Sequence, residues 1–168
     1  MKSANKYYPI YSFKFWKAFL IHMRVYLLFV SGICGLAGIA IVQNLSFDLL
    51  TFLMTFLPFF LAYGFGQALT DCFQIDTDSI SAPYRPLSRK EVSPYSIGLI
   101  SILGLIILIV SLIYVNTLNV IWGTLSVIGL ATYTYFKKTY WFAGPFYNGW
   151  IVVLLPIMGY MSASGSSI

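Results

Sequence analysis

The acidic side chains of this 168-residue sequence are concentrated in one stretch. Four of its five carboxylates lie between Tyr63 and Ser93, namely Asp71, Asp76, Asp78 and Glu91. If one helix continues through this stretch, a polar stripe follows the spacing i, i+4, i+7 and i+11, formed by Gln67, Asp71, Gln74 and Asp78. Asp76 points away from that stripe. Two carboxylates on one face repel each other unless a cation lies between them.

A hard divalent ion with oxygen ligands would relieve this repulsion. Magnesium typically binds through one or two carboxylates and completes its coordination with water and substrate phosphates. Arg85 follows in the same stretch, and a guanidinium suits bidentate contact with phosphate oxygens. These residue types are compatible with a metal–diphosphate site. The alternative, a solvated loop whose acids and bases balance each other, is equally compatible with the composition alone.

The rest of the sequence predicts a membrane protein. Hydrophobic residues make up 59% of the chain and charged residues only 9%, whereas a soluble domain carries about 25% charged residues. Several apolar runs reach the roughly 20 residues that a helix needs to cross a bilayer. The predicted fold is an all-α, polytopic transmembrane bundle that forms a single domain over residues 1–168. Its five predicted spans are Phe19–Val42, Leu49–Phe73, Tyr95–Val115, Leu118–Phe136 and Ala143–Tyr160.

The basic residues predict the orientation. With the amino terminus inside, all ten lie on the cytoplasmic side or at its edge: Lys2, Lys6, Lys14, Lys17, Arg24, Arg85, Arg89, Lys90, Lys137 and Lys138. The long loop 72–94 is then cytoplasmic, and the short loops 43–48 and 116–119 lie outside. Attraction to anionic lipid accounts for the net charge of +5, so no nucleic-acid partner is expected. His22, without a Cys or His at metal-ligand spacing, is interpreted as a packed or interfacial side chain.

Four features of the sequence resemble UbiA-type prenyltransferases. The segment Asp78-Ser-Ile-Ser-Ala-Pro-Tyr-Arg85-Pro86 is similar to the end of their first aspartate-rich motif, Asn-Asp-x-x-Asp-x-x-x-Asp, and the Pro-x-Arg-Pro that follows. Tyr133-Thr-Tyr-Phe-Lys137 resembles the family's Tyr-x-x-x-Lys signature. Asn148 resembles an asparagine at the start of the fifth helix. Arg24 resembles a basic residue near the end of the first.

This resemblance implies a fold of nine helices and transfer of a prenyl group from a prenyl diphosphate to a lipophilic, often aromatic, acceptor in the bilayer. It also implies dependence on Mg²⁺. The residues it assigns to the metal are Asp71 and Asp78, with Gln74 as support. The residues it assigns to the prenyl diphosphate are Arg85 and Lys137 on the phosphate oxygens, Tyr133 and Asn148 in positioning, and Arg24, for which an interfacial anchor is an equal alternative.

The sequence also departs from the family pattern. Thr70 stands where the motif has Asn, and Gln74 replaces its middle aspartate. The second aspartate-rich motif is absent from residues 1–168, so prenyl transfer by this segment alone is not expected. The alternative hypothesis is a non-catalytic membrane scaffold or accessory protein with a degenerate site. A transporter module is weaker, because the charges cluster at the cytoplasmic edge rather than near the midplane.

Overall fold

The computed structural model describes residues 7–43 and 48–165, and every regular element in these residues is an α-helix. The predicted all-α class is therefore confirmed. The helices are α1 Phe13–Met23, α2 Val25–Ala40, α3 Leu49–Asp71, α4 Ile75–Ser81, α5 Pro94–Val115, α6 Asn119–Thr139 and α7 Ala143–Ala163.

The first predicted span is not one straight helix. Ser12 caps α1 by accepting a hydrogen bond from the Phe15 N–H, and α1 ends at Arg24, which adopts a left-handed conformation (φ 51°, ψ 66°). The axes of α1 and α2 differ by 52°. A left-handed residue costs about 1–2 kcal/mol, and the ion pair between Arg24 and Asp71 offsets part of that cost. The predicted unbroken span Phe19–Val42 was wrong, because the left-handed residue Arg24 bends the chain between α1 and α2.

The helix that carries the acidic stretch is also interrupted. Asp48 caps α3, which continues through Pro58 and ends at Asp71. Residues 72–74 leave the helix, and α4 then runs for seven residues. A continuous helix from Gln67 to Asp78 is therefore excluded. The loop 72–94 contains α4 and a series of turns, and Pro94 opens α5 at a position where its missing N–H costs nothing.

The long helices form a ring. In order around it, α2 packs against α3, α3 against α5, α5 loosely against α6, α6 against α7, and α7 against α2, while α1 lies against α3. The contact between α2 and α7 is backbone to backbone, because a Cβ on Gly38 would overlap the carbonyl oxygen of Pro156 and a Cβ on Gly159 would overlap that of Gly35. Small residues permit this close approach in membrane helices.

Three helices are long and apolar enough to cross a bilayer: α3, α5 and α7. The bent pair α1–α2 would be a fourth span if it counts as one. The chain is therefore an integral membrane protein with three or four candidate spans in its described residues. Helix α6 has 21 residues but carries Lys137, Lys138 and several hydroxyl side chains, so the fourth predicted span, Leu118–Phe136, stays a prediction.

Candidate active site

Asp71 is the centre of a buried polar cluster at the end of α3. Its side chain is 2% exposed. Oδ2 lies 2.9 Å from Nδ1 of His22, and Oδ1 accepts a hydrogen bond from Arg24 Nη2 at 2.9 Å. The Nη1 atom of Arg85 approaches the same Oδ1 at 3.4 Å. A buried carboxylate is costly unless it is paired and hydrogen-bonded, and Asp71 is both.

Asp78 faces Asp71 across the guanidinium of Arg85. Helix α4 holds Asp78 so that its Oδ2 lies 2.5 Å from Arg85 Nη1, the atom that also approaches Asp71. The break after α3 makes this possible, because the chain turns and brings the second carboxylate back towards the first. Burial lowers the pKa of Arg85, but the negative charges of Asp71 and Asp78 outweigh it and raise the pKa above its usual value. Arg85 therefore stays charged.

Gln74 connects the break in the chain to α6. Its Oε1 accepts a hydrogen bond from Lys137 Nζ at 2.8 Å, and its Nε2 donates to Thr134 Oγ1 at 3.3 Å. Lys137 Nζ also lies 5.7 Å from the ring centroid of Tyr133. The structure thus brings Gln74, Lys137 and Tyr133 together. Lys137 donates to Gln74 Oε1, the oxygen that the family resemblance assigned to a metal. Gln74 as a metal ligand stays a prediction.

Asn148 lies in a separate contact. Its Nδ2 donates to Tyr63 Oη at 3.1 Å, and its Oδ1 is 3.3 Å from the same oxygen. Tyr63 precedes Gln67 by four residues and Asp71 by eight, so the three share one face of α3. Asn148 is therefore linked to the polar face of α3, although its recorded hydrogen bonds do not reach the carboxylates.

Two residues of this site were not assigned to it from the sequence, His22 and Tyr63. His22 is packed, as expected, at 1% exposure, but it also has polar partners on both ring nitrogens. Its spacing after Phe15 and Phe19 places it on the buried face of α1, which was the signal for a polar contact there. For Tyr63, the signal was its position four residues before Gln67, which extends the polar face of Gln67 and Asp71 by one helical turn.

Apolar space adjoins the polar face of α3. A narrow cavity of about 70 Å³ lies between α3, α5, α6 and α7, and its walls include Tyr63, Leu108, Leu130 and Ile151. A wider space of about 470 Å³ lies between α3, α5 and α6, where Thr70, Phe73, Thr134 and Lys138 are among its walls. Both spaces are bordered mainly by hydrocarbon and suit lipophilic groups.

The carboxylates fit a single hard cation. Asp71 and Asp78 direct one oxygen each at the same positively charged nitrogen, so their geometry already favours a cation between them. Among the described residues, no group of three or more His, Cys, Asp or Glu side chains is arranged to hold a metal. Two carboxylates with the remaining ligands from water and phosphate are what Mg²⁺ commonly uses.

Comparison with known proteins decides the family. The model of the UbiA prenyltransferase family matches residues 31–168, which is most of the chain. The chain belongs to the UbiA prenyltransferase family. The resemblance seen in the aspartate and Arg-Pro segment is therefore confirmed, and with it a membrane-bound transferase family.

Similar proteins carry one name. A digeranylgeranylglyceryl phosphate synthase of Methanococcus aeolicus is 32% identical over 124 residues, covering 73% of this chain and 43% of that protein. The enzyme of the same name from Methanocaldococcus jannaschii is 29% identical over a region that covers 60% of this chain and 35% of that protein. A solved structure described for digeranylgeranylglyceryl phosphate synthase matches with a TM-score of 0.80 at 25% identity, covering 89% of this chain and 54% of that one. The UbiA-family chain thus spans less than half the length of these two curated relatives.

Proposed function

We propose that this chain supplies the first diphosphate-binding half of a prenyltransferase that moves a prenyl group from a prenyl diphosphate to a lipid-like acceptor. The observation that carries the proposal is the convergence of Asp71 and Asp78 on Arg85. The relatives' name describes a glyceryl phosphate with two geranylgeranyl groups, which favours a prenylated glyceryl phosphate as acceptor over an aromatic ring.

The physical task of the site is to stabilise charge on the departing diphosphate. Groups fixed in place before the reaction do this best, because they need no reorganisation as charge develops. Arg24, Arg85 and Lys137 are the cations that the fold holds around the cluster, and we assign them to the phosphate oxygens. Asp71 and Asp78, supported by Gln74, would hold Mg²⁺, which neutralises phosphate charge when bound.

The prenyl chain needs an apolar path and protection from water. The spaces beside α3 offer such a path, and their hydrocarbon walls disfavour water beside a developing allylic cation. Tyr63 borders one of these spaces, and Tyr133 lies beside Lys137, so aromatic faces are available to a carbocation. We assign Tyr133 and Asn148 to positioning of the substrate. With the amino terminus inside, the diphosphate enters from the cytoplasm.

A non-catalytic scaffold is the less favoured alternative. A site that does not bind a ligand has no need for two carboxylates that both contact one arginine. In this chain Asp71 and Asp78 are both present and both face Arg85. The substitution of the middle aspartate by Gln74 removes one charge but keeps an oxygen donor at that position.

The test is a matched pair of aspartate variants in the protein that contains these 168 residues. Transfer from geranylgeranyl diphosphate to a geranylgeranylated glyceryl phosphate is assayed in detergent with and without Mg²⁺, and against aromatic acceptors. Asp78→Asn should lower turnover by about 100-fold or more, the scale for losing one preorganised charge contact. Asp76→Asn, on the same helix but paired with Lys138, should leave turnover unchanged. Full activity in Asp78→Asn, or none in wild type, contradicts the proposal.

A further inference from the structure

His22 is a buried titratable side chain whose two ring nitrogens touch two different parts of the site. Nδ1 lies 2.9 Å from Asp71 Oδ2, and Nε2 accepts a hydrogen bond from the Leu87 N–H at 3.3 Å. We propose that His22 is a positioning residue for the diphosphate site, which orients the Asp71 carboxylate and anchors the loop that carries Arg85. This inference rests on the proposed function.

The contacts of His22 define its tautomer. A backbone N–H only donates, so the Nε2 atom that faces Leu87 must offer its lone pair. In neutral imidazole the proton is then on Nδ1, which donates to Asp71. The ring is 1% exposed, so water does not compete for either nitrogen. Only one orientation of the ring satisfies both partners.

For Asp71, the consequence is that its two carboxylate oxygens have different partners. His22 occupies Oδ2, and this leaves Oδ1 as the oxygen that Arg24 and Arg85 share. A carboxylate that binds a cation needs its other oxygen held in place, and loss of such an outer partner typically lowers metal affinity about 10–100-fold. The structure thus directs Oδ1 of Asp71, and not Oδ2, at the positively charged side chains of the site.

For Arg85, the consequence is a fixed loop. Leu87 follows Arg85 by two residues and is 4% exposed, and it packs with Phe15 and Phe19 of α1 in one hydrophobic cluster. The loop also accepts a hydrogen bond at the Glu91 carbonyl from the Tyr8 N–H at 2.9 Å. Of the hydrogen bonds from Leu87 to His22 and from Tyr8 to Glu91, the one to His22 lies closer in sequence to Arg85. It therefore couples the position of the guanidinium to that of Asp71.

The simpler alternative is that His22 only fills a polar gap in the core. Both roles predict a loss of stability when the side chain is removed. Only the positioning role predicts that ligand affinity falls beyond what an equally destabilising change elsewhere in the core produces. Phe59 of α3 provides that control, since it is fully buried but belongs to a separate hydrophobic cluster with Ile39 and Leu154.

The experiment uses the fact that His22 is the single histidine of the chain. Selective ¹⁵N-histidine labelling of residues 1–168 in detergent then gives the NMR signals of one imidazole. A protonated Nδ1 and an unprotonated Nε2 are expected, together with a change in both ¹⁵N shifts when Mg²⁺ and pyrophosphate are added. A protonated Nε2 overturns the proposal without any ligand being needed.

Affinity for Mg²⁺–pyrophosphate, measured by calorimetry, provides the second readout. His22→Leu should weaken binding about 10-fold or more. His22→Asn retains a donor near Nδ1, and His22→Gln retains a polar atom near Nε2, so each should lose less and both remain informative if His22→Leu does not fold. Phe59→Leu should lower the melting temperature with affinity unchanged.

The two proposals fail in different ways. If wild type binds Mg²⁺–pyrophosphate and His22→Leu weakens binding no more than Phe59→Leu does, His22 is a packing residue and this inference is wrong. If wild type shows the expected tautomer but neither binds Mg²⁺–pyrophosphate nor transfers a prenyl group in the assay described above, the proposed function fails, and the positioning role fails with it. Intermediate affinities for Asn and Gln, with the Nδ1-protonated tautomer, support the positioning role.

Discussion

The polar cluster around Asp71 and the contact between α2 and α7 are built on opposite principles. The cluster forms where helices stop, at Arg24 and at residues 72–74, and it consists of charged side chains. The α2–α7 contact forms between continuous helices and consists of backbone against backbone at Gly35, Gly38 and Gly159. One region uses long side chains that can change partners, and the other leaves no space for any side chain.

This difference separates function from stability. A buried ion pair adds little net stability, because the cost of desolvating the charges offsets their attraction. Close helix packing is the main stabilising contact available in a bilayer, where lipid is as apolar as the side chains. Changes in the α2–α7 contact should therefore affect folding alone, whereas changes in the cluster should affect ligand binding as well. Three substitutions test that separation, in order of expected effect.

The largest effect is expected for Gly38→Ala. The new Cβ would overlap the carbonyl oxygen of Pro156, which is backbone and cannot rotate away. Overpacking of this kind costs about 3 kcal/mol, so the melting temperature in detergent should fall steeply. Gly149→Ala is the matched control in α7, because its Cβ would meet no atom within 4 Å. It should be neutral or stabilising by about 0.5–1 kcal/mol. Equal melting temperatures for the two variants would show that α2 and α7 are not in contact.

An intermediate effect is expected for Arg85→Gln, and it has opposite signs for two ligands. Removal of the guanidinium leaves Asp78 without its arginine and Asp71 with Arg24 alone of its two arginines, so Mg²⁺ alone should bind more tightly. Mg²⁺–pyrophosphate should bind about 10-fold more weakly, since a charge-assisted hydrogen bond to phosphate is worth about 1.5–3 kcal/mol. Calorimetry with each ligand measures both. Arg89→Gln is the control, because Arg89 is 59% exposed and pairs with Glu91. Weaker binding of both ligands to Arg85→Gln would mean that the arginine organises the carboxylates rather than competing for them.

The family resemblance assigned Asp78 and Arg85 to one site. They are seven residues apart, and the structure brings them into contact through one short helix and a turn. Helical periodicity failed over the eleven residues from Gln67 to Asp78, because it assumed an unbroken helix. The carboxylates meet through the break, not along a face.

Contacts between distant segments could not be predicted from periodicity. Arg24 and His22 reach Asp71 across 47 and 49 positions, and the link depends on a left-handed residue that no local propensity favours. Tyr63 meets Asn148 across 85 positions. The nature of these side chains was visible in the sequence, but their pairing depends on how α1, α3 and α7 pack. The family resemblance placed Arg24 near the end of the first helix and left its partner open.

The smallest effect is expected for the ion pair between Asp76 and Lys138, which joins α4 to the end of α6. Lys138 Nζ lies 2.9 Å from each carboxylate oxygen, and Asp76 is 69% exposed. The hydrogen bond from Lys138 lowers the pKa of Asp76. Because the pKa is lower in the folded state, the pair stabilises above the unfolded pKa of about 3.9 and the contribution is lost as the pH falls through the folded value. Asp76→Asn should therefore lower the melting temperature slightly at pH 7, less so at high salt, and the difference from wild type should shrink as the pH falls below about 4. Melting curves at several pH values measure this, with Lys138→Gln as the partner variant. A drop as large as that of Gly38→Ala, or a loss of Mg²⁺–pyrophosphate binding, would mean that α4 is held mainly from α6 and that the cluster depends on this exposed contact for its shape.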